Sequence, residues 1–197
     1  MYVFPDVSGS MHSPVTGYRK GSTTAVRCID VAALVAAAIV RNNPQAEVLP
    51  FESRVVRNCK LNSRDSVMTN AKRLASLPTG GTNCSAPLQY LNDRKKKGDL
   101  VIYVSDNESW IDSHNRGLYR SSSTETMKAW SQFKVQSPEA KMICIDIQPY
   151  GHSQAKERAD ITNVGGFNDR VFKLIAAIAR TGNSEGFWVE MIERTSL

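Results

Sequence analysis

The chain of 197 residues lacks several features that would assign it to a class at once. No apolar run approaches the roughly 20 residues of a transmembrane helix, and no charged and then apolar signal segment opens the sequence. We therefore expect a cytoplasmic protein with no membrane partner. The four cysteines form no CxxC pair, so a zinc knuckle and a redox motif are both missing. We expect reduced thiols.

Acidic residues are the minority among charged ones. Nineteen Asp and Glu stand against 25 Lys and Arg, which gives a formal charge of +6 and a pI near 9.2. A basic surface favours an acidic partner. The densest basic run, residues 94–97, follows an apolar helical segment, so we interpret it as a solvated helix end rather than a nucleic-acid patch.

Short apolar runs separated by helical segments make up most of the chain. Runs 2–4, 46–51, 100–104 and 142–147 are typical of parallel strands that are buried on both faces. Helical patterns cover residues 25–41, 66–77, 87–97, a segment that opens at the capping box of Ser122 and Glu125, and 169–180.

The alternation predicts an α/β fold with a doubly wound, mostly parallel, Rossmann-like sheet and helices on both faces. Residues 53–60 follow the second run closely, which suggests a hairpin and one antiparallel edge strand. Residues 182–197 fit a strand or a helix. No repeat or linker divides the chain, so we expect one domain over residues 1–197.

Polar residues gather at the predicted strand ends. Asp6, Ser8 and Ser10 form a DxSxS sequence directly after the first strand, and side chains at this spacing in an extended loop project the same way. Asp106 ends another strand, and Thr82 closes a turn whose two glycines let the backbone bend toward an ion. Carboxylate and hydroxyl oxygens suit Mg²⁺, with Mn²⁺ or Ca²⁺ as alternatives.

This set of five resembles the metal-ion-dependent adhesion site (MIDAS) of von Willebrand factor type A (vWA) domains. The segments PDVSGSM, LPTGGTNCSAPL, VIYVSDNESW and VGGFNDRVFKLIAAIAR are similar to the C-terminal domain of Ro (TROVE) RNA-binding proteins, over nearly the whole chain. The resemblance implies direct cation binding by Ser8 and Ser10, direct or water-mediated binding by Thr82, and water-mediated binding by Asp6 and Asp106. A sixth position is left for an acidic protein group or a phosphate.

Ro proteins bind RNA mainly through a ring of helical repeats that precedes this domain. The resemblance therefore implies a domain excised from a larger Ro protein, monomeric in isolation, which meets RNA through its parent. The loops 11–24 and 107–123 should rim the metal. They carry basic and aromatic residues that could hold phosphates and bases: Arg19, Lys20, Trp110, Arg116, Tyr119 and Arg120.

The expected function is a cation-dependent binding module of a Ro-type protein in RNA quality control or processing, and not an enzyme. Two alternatives stay open, namely an RNA-binding domain in its own right and a phosphatase of the haloacid dehalogenase type. The phosphatase motif is DxD, and this chain has Ser8 where the second aspartate should be. As a local alternative, Asp6 and the serines form only a capped turn, and Thr82 caps a helix.

Overall fold

The computed structural model describes residues 1–17, 24–106, 125–149, 158–167 and 170–181, with side chains up to residue 177. Five parallel strands form one sheet in the order β2-β1-β3-β4-β5. The strands are β1 Tyr2–Pro5, β2 Glu47–Val48, β3 Leu100–Ser105, β4 Lys141–Asp146 and β5 Ile161–Gly165. The helices are α1 Cys28–Asn42, α2 Val67–Ala75, α3 Ala86–Asp93, α4 Glu125–Gln136 and α5 Arg170–Thr181.

Successive residues of a strand point alternately into two hydrophobic cores, one on each face of the sheet. From β3, Ile102 and Val104 pack with α1, α2 and α5, whereas Val101 and Tyr103 pack with α3 and α4. All six residues of β3 are buried, which explains its continuous apolar sequence. The α/β class and the doubly wound parallel sheet are thus confirmed.

The prediction of an antiparallel edge strand at residues 53–60 is wrong. All pairings among the five strands are parallel, and this segment contributes only an isolated antiparallel bridge between Phe51 and Val55. The Glu52 N–H donates to the Arg54 carbonyl at 3.0 Å, and the Val56 N–H donates to the Pro50 carbonyl at 2.7 Å. These bonds close a tight turn, so the backbone groups are used before a second strand can form.

The basic run 94–97 lies at the amino ends of the strands, opposite the carboxyl ends. α3 ends at Asp93, residues 94–97 follow, and the Tyr2 hydroxyl at the start of β1 donates to the Lys97 carbonyl at 3.0 Å. The helix expected over residues 87–97 thus ends earlier, and the four exposed basic residues follow its carboxyl end. No helix in the described part of the chain is long and apolar enough to cross a membrane.

Candidate metal centre

The sheet places two of the predicted ligands at adjacent strand ends. Pro5 of β1 pairs with Val104 of β3, and the Asp6 N–H donates to the Val104 carbonyl at 2.9 Å. Asp106 follows β3 directly. Asp6 is 0% exposed and Asp106 is 2% exposed, so both residues are buried at the carboxyl ends of the strands.

Asp6 is held by hydrogen bonds from two directions. Its Oδ1 accepts the Ser8 N–H at 2.8 Å, which is the local turn that Asp favours. Its Oδ2 accepts the Ser105 hydroxyl, also at 2.8 Å, from the last residue of β3. The two bonds fix the plane of the carboxylate and join the loop after β1 to the neighbouring strand.

The hydroxyls of Ser8 and Ser10 form the most informative pair. Their Oγ atoms lie 3.3 Å apart, with Ser8 fully buried and Ser10 half-buried at the start of a short 3-10 helix. Two ligands at right angles around an octahedral ion stand about 3.0 Å apart for Mg²⁺ bonds of about 2.1 Å, and about 3.4 Å apart for Ca²⁺ bonds of about 2.4 Å. The observed separation fits two hydroxyls on one hard cation.

The loop that carries Thr82 lies against the serine loop. The Gly9 N–H donates to the Gly80 carbonyl at 3.0 Å, and the Asn83 N–H donates to the Glu52 carbonyl at 2.9 Å. Thr82 is half-buried and is not a helix cap, because α3 begins after Ser85. The structure thus brings the segments of all five predicted residues to one edge of the sheet.

The glycines of this loop serve a different purpose from the one expected. Neither Gly80 nor Gly81 has a positive φ, so the loop does not need glycine to bend. A Cβ at Gly80 would instead lie 1.8 Å from Oε2 of Glu52. The Glu52 carboxylate, which also accepts the Ser53 N–H at 2.8 Å, packs directly on this backbone, so a larger residue at position 80 would displace the end of the Glu52 side chain.

The electrostatics of this edge are acidic. Asp146 ends β4 opposite Ser105, so a third carboxylate stands beside the first two. Burial raises the pKa of the Cys28 thiol to about 11, and the negative charges of Asp106 and Asp146 add to the increase, whereas a hydrogen bond with Ser13 opposes it. Because both carboxylates raise the pKa of this thiol, the region around them has a negative potential, which would stabilise a cation.

The donor chemistry fits a hard divalent cation. Across the described residues, no three His, Cys, Asp or Glu side chains are grouped as metal ligands. The predicted set is of another kind, with two carboxylates and three hydroxyls, and so all its donors are oxygens. Magnesium prefers such sites and keeps several of its waters.

Ser105 is a residue that the sequence analysis did not single out. It is fully buried and orients Asp6 from the neighbouring strand. The available signal was a polar residue that closes a continuous apolar run immediately before Asp106. The expected rim residues Arg19, Lys20, Trp110, Arg116, Tyr119 and Arg120 lie outside the described residues, as do Ser122 and residues 182–197.

Comparison with known proteins identifies relatives of this chain. The family model of the Ro60 vWA domain matches residues 1–179. The RNA-binding protein RO60 of Deinococcus radiodurans is 24% identical over 176 residues, which cover 89% of this chain and 30% of that protein. The crystal structure of the Deinococcus radiodurans RO (RSR) protein matches with a TM-score of 0.68 at 22% identity, over 91% of this chain and 34% of that one. The chain therefore spans about a third of the length of these relatives.

Proposed function

Because the chain belongs to the Ro60 vWA domain family, we propose that it is a divalent-cation-dependent binding module of a Ro-type RNA-binding protein. The observation that carries this proposal is the pair of Ser8 and Ser10 hydroxyls 3.3 Å apart, beside the buried and doubly hydrogen-bonded Asp6. The cation of choice is Mg²⁺, with Mn²⁺ and Ca²⁺ as substitutes.

Each residue of the set has a distinct task. Ser8 and Ser10 bind the cation directly, Thr82 binds it directly or through water, and Asp6 and Asp106 hold its waters. The direct ligands are uncharged hydroxyls, so the bound cation keeps a strong attraction for an anionic oxygen. The two carboxylates balance its charge from a distance and are themselves relieved of part of the cost of burial.

The partner supplies the remaining ligand of the cation. A carboxylate of a protein or a phosphate oxygen would complete the shell, because both are hard anionic oxygen donors. When bound, the cation supplies the positive site to which that group attaches. Ser105 is a positioning residue, since it acts through Asp6 and reaches the cation only by way of that carboxylate.

The proposal places the module in RNA quality control or processing. A relative over most of this chain is named an RNA-binding protein. We assign the main RNA contacts to the parent protein and the cation-dependent contact to this domain, which we expect to be monomeric in isolation and cytoplasmic.

We further propose that the module is not an enzyme. A phosphatase of the haloacid dehalogenase type needs an aspartate at the position of Ser8 to act as acid and base. Ser8 is fully buried and within hydrogen-bonding distance of another neutral hydroxyl. Release of phosphate from an aryl phosphate that ceased in an Asp6→Asn variant would overturn this statement.

Calorimetric titration of the full chain with Mg²⁺ and with Mn²⁺ tests the cation proposal. We expect one site, and we expect Ser10→Ala to weaken it by more than the roughly 10- to 100-fold typical of an outer-shell partner. Ser76→Ala is the matched control, because it removes an exposed serine hydroxyl at the end of α2, on a different part of the surface. Native affinity in Ser10→Ala, or no binding by the unaltered chain, would contradict the proposal.

A further inference from the structure

A groove of about 820 Å³ runs along α3, beside the candidate metal centre. Residues 52–58 form one wall, and the exposed side of α3 with Arg94 forms the other. The groove starts at Thr79 and Asn83, which flank the loop of Thr82, and it ends where the basic run 94–97 begins. The groove thus extends over the length of α3, about 12 Å, from the candidate metal centre to the basic run 94–97.

The walls of the groove carry a small excess of positive charge. Arg54, Arg57 and Arg94 line it together with the carboxylates of Glu52 and Asp93. Glu52 lies 3.6 Å from Arg54, so these two charges largely offset each other. Within the described part of the chain, Arg57 and Arg94 form no ion pair with a carboxylate, and Arg94 donates one N–H to the Tyr90 carbonyl at 3.4 Å. Their charges are available to an anionic ligand.

Both of these arginines lie over one aromatic ring, and Arg94 is stacked directly on it. The Arg94 guanidinium lies 3.8 Å from the centroid of the Tyr90 ring, and the Arg57 guanidinium lies 5.7 Å from it. A guanidinium stacked on a ring keeps its N–H groups in its own plane, where they can grip a phosphate bidentately. Because the Arg94 guanidinium covers one face of the Tyr90 ring, its own outer face is the surface that this platform offers for stacking by a nucleic-acid base.

We propose that this groove binds a segment of single-stranded RNA without base preference, with phosphates on Arg57 and Arg94 and bases stacked against the platform of Tyr90 and Arg94. The platform favours RNA over an acidic peptide, because glutamate and aspartate side chains have no extended planar face to stack. The site goes beyond the proposed function and needs no cation, so the two proposals can fail separately.

The small number of contacts sets the strength of binding. Binding should be weak and steeply salt-dependent, with a dissociation constant on the order of 10 micromolar or weaker at physiological salt, because few phosphates release their counterions. Each phosphate contact with a single strand adds about 0.7 to the slope of log affinity against log salt concentration. At 0.1 M salt, one such contact strengthens binding about fivefold.

Fluorescence anisotropy with a labelled oligouridine and the full chain, in the presence of chelator, tests the site. Arg57→Gln and Arg94→Gln should each weaken binding about fivefold at 0.1 M salt and lower the salt slope by about 0.7. Tyr90→Leu should weaken binding by about fivefold or more with little change in slope, since stacking involves no counterions. Arg64→Gln is the matched control, because it removes an exposed arginine beside α1 and α2 on the other face of the sheet.

Thermal unfolding shows that each variant is folded before its binding is compared. Equal weakening by Arg64→Gln and Arg57→Gln would reveal diffuse attraction to the whole surface and overturn the proposal. Binding that disappears with chelator or in Asp6→Asn would move the RNA to the metal face. Binding of a labelled polyglutamate with the same dependence on Tyr90, or no RNA binding at millimolar protein, would also overturn it.

Discussion

Replacing Asp6 by asparagine or by alanine separates the architectural role of this side chain from its proposed role at a cation. Asparagine has the same shape and keeps an oxygen for the Ser8 N–H. Its amide can donate to the Ser105 hydroxyl, whose hydrogen rotates to suit. Alanine leaves both buried donors without their acceptor.

The cost of the alanine substitution follows from these two bonds. A hydrogen bond to a charged group contributes about 1.5–3 kcal/mol, so Asp6→Ala should lose about 3–6 kcal/mol, less what is regained by removing a buried carboxylate. Domains are commonly stable by about 5–15 kcal/mol, so the variant should still fold. Each kcal/mol shifts the Tm of a chain of this size by about 2–4 °C, which predicts a decrease on the order of 10 °C.

Two measurements on the same three proteins distinguish the roles. Thermal unfolding in chelator should show a clear decrease in Tm for Asp6→Ala and a small one for Asp6→Asn. Calorimetry with Mn²⁺ should show binding weakened about 10- to 100-fold in both, because neither keeps the negative charge that holds the waters of the cation. A native Tm for Asp6→Ala would refute the structural reasoning, and native Mn²⁺ affinity in Asp6→Asn would refute the assignment of the carboxylate to the cation.

Two further predictions concern Ser105, which bonds Asp6, and Cys28, which lies near Asp106 and Asp146. Ser105→Ala removes the donor to Asp6 Oδ2 and should weaken Mn²⁺ binding about 10- to 100-fold, whereas unchanged affinity in calorimetry would remove Ser105 from the site. The raised pKa of Cys28, about 11 against an ordinary value of 9.0, means that its thiol ionises earlier in the unfolded chain than in the folded one. The free energy of unfolding should therefore fall as pH rises from about 9 to 11, and denaturant unfolding of Cys28→Ala should show a shallower fall.

Sequence reasoning succeeded where burial on both faces dictates composition. Every position of β3 faces one core or the other, so its run of apolar residues had no alternative reading as a surface segment. β5 was missed because it lies at the sheet edge, where Thr162 and Asn163 are only half-buried and polar residues are tolerated. An edge strand of five residues gives too little pattern to identify.

The expected hairpin shows why alternation of apolar and polar residues indicates burial of side chains rather than pairing of strands. Val55 is buried and the side chain of Arg54 is 88% exposed, as a strand would require. The same alternation arises in the turn that places Val55 under the sheet edge, and the hydrogen bonds of that turn exclude a ladder. Local pattern alone could not distinguish the two.

The candidate site was predictable as far as it depends on local spacing. The DxSxS sequence and its position after a strand indicated that Ser8 and Ser10 would converge, and the structure brings them together. The contribution of Ser105 depends on the register between β1 and β3, and the contact at Gly80 depends on Glu52, 28 residues earlier in the chain. Contacts between distant segments of this kind are not encoded in any local motif.

Anomalous diffraction from crystals of the chain grown with Mn²⁺ tests the central claim most directly. The proposal predicts one strong peak at the carboxyl edge of the sheet, within direct bonding distance of Ser8 Oγ and Ser10 Oγ and with Asp6 and Asp106 reached through waters. A fully occupied ion with either serine hydroxyl turned away from it, or the absence of any peak beside Asp6 at saturating Mn²⁺, would contradict it.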